Sequence, residues 1–417
     1  MLKYITPRIR FQVFKSWWKT IKLTDIGISM GGTAIESEFN PDGKFKVISI
    51  GSYSEESKYR DQGIRAVYSK KTEKRILEKD DLTMILNDKT STGKIIGRVL
   101  LIDEDNCYVY NQRTQRICLN KNKFDPEFIF QLLNADINRN KIVRSAQGNT
   151  QIYVNWSDIS NLDYLIPESV EEQSAIGSLF RTLDDLQTSY KDNLANYQSL
   201  KAAMLSKMFP KAGQTAPEIR LDGFEDEWEV QILKEIASFS KGNGYTKNDL
   251  VNSGKEIILY GRLYTNYQTV ISKVNTFVTT VKANTVISKG GEVIVPASGE
   301  SAKDISRASV VEKSGIILGG DLNIIYPDEN KVDSIFLALT ISNGSQQKEL
   351  IKRAQGKSVV HLRNNDLEKV VLHYPSMEEQ HAIGTYFLNL DNLITTYQEK
   401  ISQLDTLKKK LLQDMFM

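Results

Sequence analysis

Cysteine and histidine are scarce. Two cysteines, Cys107 and Cys118, and three histidines, His361, His373 and His381, are spread over 417 residues. So few thiols exclude a disulfide framework, and the histidines have no ligand spacing, which excludes a Cys/His metal cage. Both absences point to a reducing cytoplasm as the location. Long apolar runs are missing too. Stretches such as Gly315-Ile316-Ile317-Leu318 and Val370-Val371-Leu372 are far too short to span a bilayer. The start, Met1 to Arg8, carries charge without an apolar stretch, so no signal peptide is expected. Nor is there a charge excess: 54 Lys and Arg face 52 Asp and Glu, a net of +2, which excludes a polycationic protein but leaves room for local basic patches.

Catalytic signatures are equally thin. Ser91-Thr92-Gly93-Lys94 lacks the earlier Gly and the following hydroxyl of a phosphate-binding loop. Gly242-Asn243-Gly244 has no third Gly, so it is no dinucleotide fingerprint. No Asn/Asp-Pro-Pro-Tyr/Phe methyltransferase motif occurs. Pro41-Asp42 with Glu56-Ser57-Lys58 imitates a nuclease motif, but both lie in polar, turn-like sequence rather than on adjacent strands.

What the chain does contain is a repeat of itself. Pro7-Arg8-Ile9-Arg10-Phe11, Phe14 and Trp18 return as Pro217-Glu218-Ile219-Arg220-Leu221, Phe224 and Trp228. Ala146-Gln147-Gly148 returns as Ala354-Gln355-Gly356. Over 171–209 against 378–416, 17 of 39 positions are identical, beginning with Glu-Glu-Gln at 171 and 378. Between about 33 and 145 and its counterpart the likeness nearly vanishes. Each half is therefore a variable block followed by a common segment.

The common segment has helical spacing. Ile176, Leu179, Leu183, Leu186, Tyr190 and Tyr197 form one seam, and Ile383, Leu390, Leu393, Tyr397, Leu404 and Leu407 form the other. Both are interrupted at one place, by Asn193 and by Lys400. Helices over about 170–209 and 377–416 would each be about 55–60 Å long, and are expected to pack antiparallel as a coiled coil. The variable blocks mix short strands (Val47–Ile50, Thr83–Leu86, Gly97–Ile102, Gln115–Leu119; Ile257–Tyr260, Glu292–Val295, Asn323–Tyr326) with helical stretches at about 126–142 and 333–353. The fold class is thus α+β, with two mixed α/β blocks, two long helices and a pseudo-two-fold repeat.

Basic residues gather locally. Lys70, Lys71, Lys74 and Arg75 close one cluster. A second surrounds each Ala-Gln-Gly: Arg139, Lys141 and Arg144 in the first half, and Lys348, Lys352, Arg353, Lys357 and Arg363 in the second. Phosphates attract cations and short donors, while base edges suit Arg, Asn and Gln. The candidate double-stranded DNA contacts are Arg144, Gln147, Gly148, Asn149 and Thr150, and Arg353, Gln355, Gly356, Lys357 and Ser358. The two glycines would admit close approach to phosphate; Lys70, Lys71, Lys74 and Arg75 rank second, as phosphate contacts. A structural turn at Ala-Gln-Gly is the competing reading.

Taken in order, Pro217-Glu218-Ile219-Arg220-Leu221 with Gly223, Phe224 and Trp228, then Glu171-Glu172-Gln173, Ile176, Leu183-Asp184 and Leu200-Lys201 to Met208-Phe209, duplicated, resemble a specificity (S) subunit of a type I restriction–modification enzyme. The likeness runs over the whole chain, with Val13 where the second copy has Gly223. It implies target recognition domains at 1–168 and 218–376, spacer helices at 169–209 and 377–417, and a linker at 210–217. It implies a subunit that is not itself catalytic. Each recognition domain would read one half of an interrupted DNA site, while the helices set the spacing and dock two modification subunits. Restriction subunits would join them. S-adenosylmethionine, ATP and Mg would belong to those partners, and this chain would hold no cofactor and no metal. A duplicated coiled-coil adaptor without DNA binding is the alternative, separable by the absence of a steep salt slope.

Overall fold

The computed structural model describes residues 7–211, 213–356 and 359–416. The chain divides into two compact units, Met1–Lys191 with Glu399–Met417, and Asp192–Gln398.

In the first unit, a four-stranded antiparallel sheet runs in the order Gly27–Gly31, Thr114–Leu119, Leu82–Ile85, Val99–Leu101. A smaller sheet sets Phe45–Ile48 between Arg65–Ala66 and, in parallel, Tyr108–Tyr110. Helices Pro126–Asn134 and Asp136–Arg144 cover the larger sheet, and Phe128, Ile129 and Leu132 sink into a core with Leu82, Val99 and Ile117. The second unit has a five-stranded sheet in the order Ala237–Lys241, Leu322–Pro327, Val293–Pro296, Ser309–Val311, Val270–Ile271, antiparallel except at its last pair. Helices Ser334–Ser342 and Gly344–Arg353 lie against it, with Phe336, Leu337 and Ile341 in the core beside Val293 and Ile325. The same cap starts the covering helix in both: Asp125 accepts from the Phe128 N–H and Asp333 from the Phe336 N–H, each at 2.8 Å.

Helical stretches at about 126–142 and 333–353 are expected from sequence, and each is a pair of helices. At the first break Ala135 takes ψ 131°. The Asn134 side chain exchanges hydrogen bonds with both backbone groups of Val99, each at 3.0 Å, so it serves the sheet and not a longer helix. At the second break Asn343 is extended and Gly344 has φ +67°.

The long helices are Val170–Lys207 and Met377–Met415. Each passes from one unit into the other. Inside the first unit the start of one meets the end of the other: Lys408 bonds Asp184 at 2.5 Å, Gln187 bonds Asp405 at 3.0 Å, and Phe180 stacks on Phe416. Inside the second, Lys201 bonds Asp391, Tyr197 stacks on Tyr397, and Phe209 on Phe387. Residue numbers fall along one helix as they rise along the other, so the segments are antiparallel within each unit. The expected seam needs one correction. Leu186, Leu393 and Leu407 stand out to solvent, as does Leu200, while Gln187 and Phe180 are buried. A three-and-four count from Ile176 lands one residue early at Leu186, because the position that faces inward is held by a polar pair, Gln187 with Asp405.

Candidate nucleic-acid interface

Ala-Gln-Gly opens a tight hairpin in both units. Gln147 and Tyr153 exchange two backbone hydrogen bonds at 2.9 Å; Gln355 and His361 do the same at 3.1 and 2.8 Å. Gly148 has φ +99° and Gly356 φ +129°. A Cβ there would lie 2.2 Å from the Gln151 carbonyl oxygen, or 2.0 Å from that of Val359. The turn itself therefore demands these glycines, and close approach to phosphate is not needed to explain them. The returning strands, Ile152–Tyr153 and Val360–His361, pair with Asn87–Asp88 and Ser298–Gly299. Arg144, Gln147, Asn149 and Thr150 are exposed around the first hairpin. Lys357 and Ser358 lie outside the described residues.

Several expected cations have structural work. Arg139 is buried and donates to the Gly93 and Lys94 carbonyls at 2.8 and 2.7 Å; burial pulls its pKa down. Lys141 donates to the Asp163 carbonyl at 2.7 Å over the Tyr164 ring, and burial lowers its pKa too. Of that trio only Arg144 is an exposed cation. Arg353 pairs with Glu349 at 2.8 Å. In the other cluster, Ser69 caps the short helix Lys70–Glu73, leaving Lys70, Lys71 and Lys74 exposed, with Lys71 against Ser37 at 2.9 Å. Arg75, expected among the phosphate contacts, turns inward to the Tyr110 hydroxyl at 3.2 Å and to Thr33 at 3.1 Å. The cluster borders the smaller sheet, whereas the hairpin belongs to the edge beside Asn87–Asp88.

The most strongly repeated residues are joints rather than a surface. Arg10 grips Glu172 through two bonds at 2.6 and 2.7 Å, and Ser16 and Trp18 complete the shell of this fully buried carboxylate. Arg220 grips Glu379 at 2.9 and 2.6 Å in the same way. The carboxylate in turn holds the Arg10 and Arg220 pKa above the ordinary guanidinium value. Gln173 accepts from the Asp125 N–H and donates to the Lys123 and Pro167 carbonyls; Gln380 does so with Asp333, Lys331 and Pro375. Asp184 and Asp391, beyond their lysines, accept from Gln131 and Thr269 at 3.0 and 3.1 Å. Glu172 and Glu379 tie the recurring segment before each variable block to a long helix, while Gln173, Gln380, Asp184 and Asp391 tie the blocks themselves. Sequence reasoning did not assign these roles, although the recurrence of the residues marked them. Among the described residues no cluster of His, Cys, Asp and Glu could hold a metal, and no helix is long and apolar enough to cross a membrane.

Comparison with known proteins gives consistent matches. A family profile described as "Type I restriction modification DNA specificity domain" matches twice, at residues 15–197 and 225–406. The type I restriction enzyme MjaVIII specificity subunit of Methanocaldococcus jannaschii is 22% identical over 371 residues, 85% of this chain and 83% of that protein. The crystal structure of a type I restriction–modification S subunit from M. genitalium aligns with TM-score 0.64 at 16% identity, covering 99% of both chains. A structure described under complex assembly and conformational transition of the type I R-M system aligns with TM-score 0.52 at 16% identity, over 97% of this chain and 99% of that one. At such identities the structural likeness speaks for the fold.

Proposed function

The chain belongs to the type I restriction–modification DNA specificity family, and on that premise we propose that it serves in the cytoplasm as the DNA-reading, non-catalytic subunit of a multisubunit modification and restriction enzyme. One observation carries the reading: the profile matches twice, and each match spans a variable block together with most of the long helix that follows it. Two unlike readers on like helices suit a target of two unrelated half-sites separated by a gap. The recognition domains are 1–168 and 218–376, and the 210–217 linker joins the two halves after the first helix. The hairpin residues Arg144, Gln147, Asn149 and Thr150, and Arg353 and Gln355, contact the duplex, with Lys70, Lys71 and Lys74 on phosphate.

The helices, 169–209 and 377–417, act as an antiparallel coiled-coil spacer with pseudo-two-fold symmetry. The matching pairs Asp184–Lys408 and Asp391–Lys201 support this. They also dock two modification subunits. Leu186 and Leu393, 37% and 39% exposed, occupy corresponding positions, and so do Leu200 and Leu407, 37% and 45% exposed. Apolar side chains repeated on two surfaces suit two copies of one partner. S-adenosylmethionine, ATP and Mg enter with the modification and restriction subunits.

The test is co-expression with a modification subunit, followed by mapping of methylated adenines and duplex binding across salt. A bipartite methylated motif and a steep salt slope are expected. Replacing Arg144 and Gln147 by Ala should weaken binding by about 1–3 kcal/mol if a base contact is lost. Binding that ignores salt, or no sequence-dependent methylation, would instead mean an adaptor.

A further inference from the structure

The two units share one backbone turn whose side chains carry opposite charge. In the first unit the Leu86 N–H donates to the Arg113 carbonyl at 2.9 Å, and the Val154 N–H to the Leu86 carbonyl at 3.0 Å. In the second the Ala297 N–H donates to the Asp321 carbonyl at 2.8 Å, and the Leu362 N–H to the Ala297 carbonyl at 3.0 Å. These bonds make Arg113 the counterpart of Asp321. Lys89 and Glu300, each three residues beyond the donor, are counterparts as well. Arg113 and Asp321 both hold a left-handed backbone, φ +68° and +57°, immediately before a sheet strand. All four residues are exposed. They flank the strands Asn87–Asp88 and Ser298–Gly299, which pair with the Gln147 and Gln355 hairpins.

In the second unit the turn borders a cleft of about 800 Å³, lined by Tyr260, Arg262, Tyr264, Glu300 and Asp321. Arg262 is held in the wall by Asn275, Gln268 and the Lys273 carbonyl. Ser298 occupies one carboxylate oxygen of Asp321 at 3.1 Å. In the first unit Gly51, which matches Gly261 of the cleft, is overlaid by the Gln62 side chain.

A left-handed residue at the same place in both units sends the two side chains off matching backbone positions. Exposed carboxylates beside a DNA-reading hairpin cannot serve phosphate, which repels them. They can accept from the amino groups of cytosine or adenine, and Arg and Lys donate to guanine O6 and N7. We propose that this turn selects bases: Glu300 and Asp321 accept from base amino groups in the half-site read by the second unit, while Lys89 and Arg113 donate to guanine in the half-site read by the first. The inference rests on the DNA-specificity reading and names the residues that would carry it.

The experiment uses the full chain assembled with its modification subunits and a randomised duplex library. Glu300→Ala with Asp321→Gly removes both acceptors, and Gly tolerates the left-handed backbone. Preference for the amino-bearing base should relax about tenfold or more at a position of the second unit's half-site. The other half-site and the gap should stay unchanged. Lys89→Glu with Arg113→Asp should alter only the first unit's half-site. An identical motif with unchanged preference overturns the proposal, as does a uniform rise in affinity for every sequence, the mark of relieved phosphate repulsion alone. Should the first variant not assemble, the Lys89/Arg113 variant decides: an unaltered half-site there overturns the proposal. If the parent complex reads no bipartite site, the DNA-specificity reading has failed, and that result is distinct.

Discussion

If the long helices space the half-sites, lengthening them should widen the gap and change nothing else. The chain crosses between units after Lys191 and returns after Gln398. Insertion of one heptad at each crossing leaves every unit's own contacts on its own side of the insertion. Asp184–Lys408 and Gln187–Asp405 stay in the first unit, and Lys201–Asp391 and Tyr197–Tyr397 in the second. Seven residues add about 10 Å at ~1.5 Å per residue and turn the helix by only about 20° from a whole number of turns. At ~3.4 Å per base pair that is about three base pairs. Three base pairs also carry the second half-site about 100° around the duplex. The variant should therefore bind its widened site more weakly than the parent binds its own, and gap length rather than affinity is the diagnostic. Methylome mapping reads it directly. Both half-site sequences should persist with a longer unspecified gap. An active, folded double insertion that methylates the parental gap would refute the helices as spacers. Altered half-site bases would show that recognition lies in other segments.

Two further outcomes concern stability. Arg10→Ala strands the fully buried Glu172 carboxylate and should cost about 3–5 kcal/mol, whereas Arg10→Met with Glu172→Leu should recover most of that; urea unfolding checks it, and an unchanged midpoint for the single variant would contradict the account. Burial holds the His373 pKa below its ordinary 6.5, so the folded chain prefers the neutral ring and the unfolded chain takes up the proton first. Stability should then fall as pH drops below that value and level off once the folded pKa is passed. His373→Phe should remove this part of the slope, which lies below about pH 6.5.

The repeat and the mixed architecture were legible in sequence because they rest on recurrence and on period. Identities at 171–209 and 378–416 mark two long helices, and Val170–Lys207 and Met377–Met415 match them closely. Where sequence reading failed, tertiary bonds had overridden local pattern. Asn134 looks like an ordinary helix residue until Val99 claims its amide. Leu186 fits a seam until Gln187 finds Asp405. Arg139, Lys141 and Arg75 count as basic patch in one dimension, yet carbonyls and a tyrosine hydroxyl hold them in three. No period or composition reveals such partners, because each lies far along the chain.

The same comparison separates two kinds of position. Arg10, Glu172, Gln173 and Asp184 recur as Arg220, Glu379, Gln380 and Asp391, and every one takes part in a joint to a long helix. Arg113 and Asp321 share a backbone and its hydrogen bond while differing in charge. Identity with a buried partner argues for assembly, since losing either member leaves a polar group unpaired. A constant backbone with a reversed, exposed side chain argues for reading, since the fold holds the position and leaves its chemistry free. On that criterion Gln147 and Gln355 are intermediate: their backbones build the hairpin, and their identical side chains would present the same donor and acceptor to both half-sites. Gln can satisfy adenine, or simply reach phosphate and sugar. Identical glutamines alone therefore could not distinguish two unrelated half-sites, and discrimination between them must come from positions that differ while sharing a backbone, as Arg113 and Asp321 do.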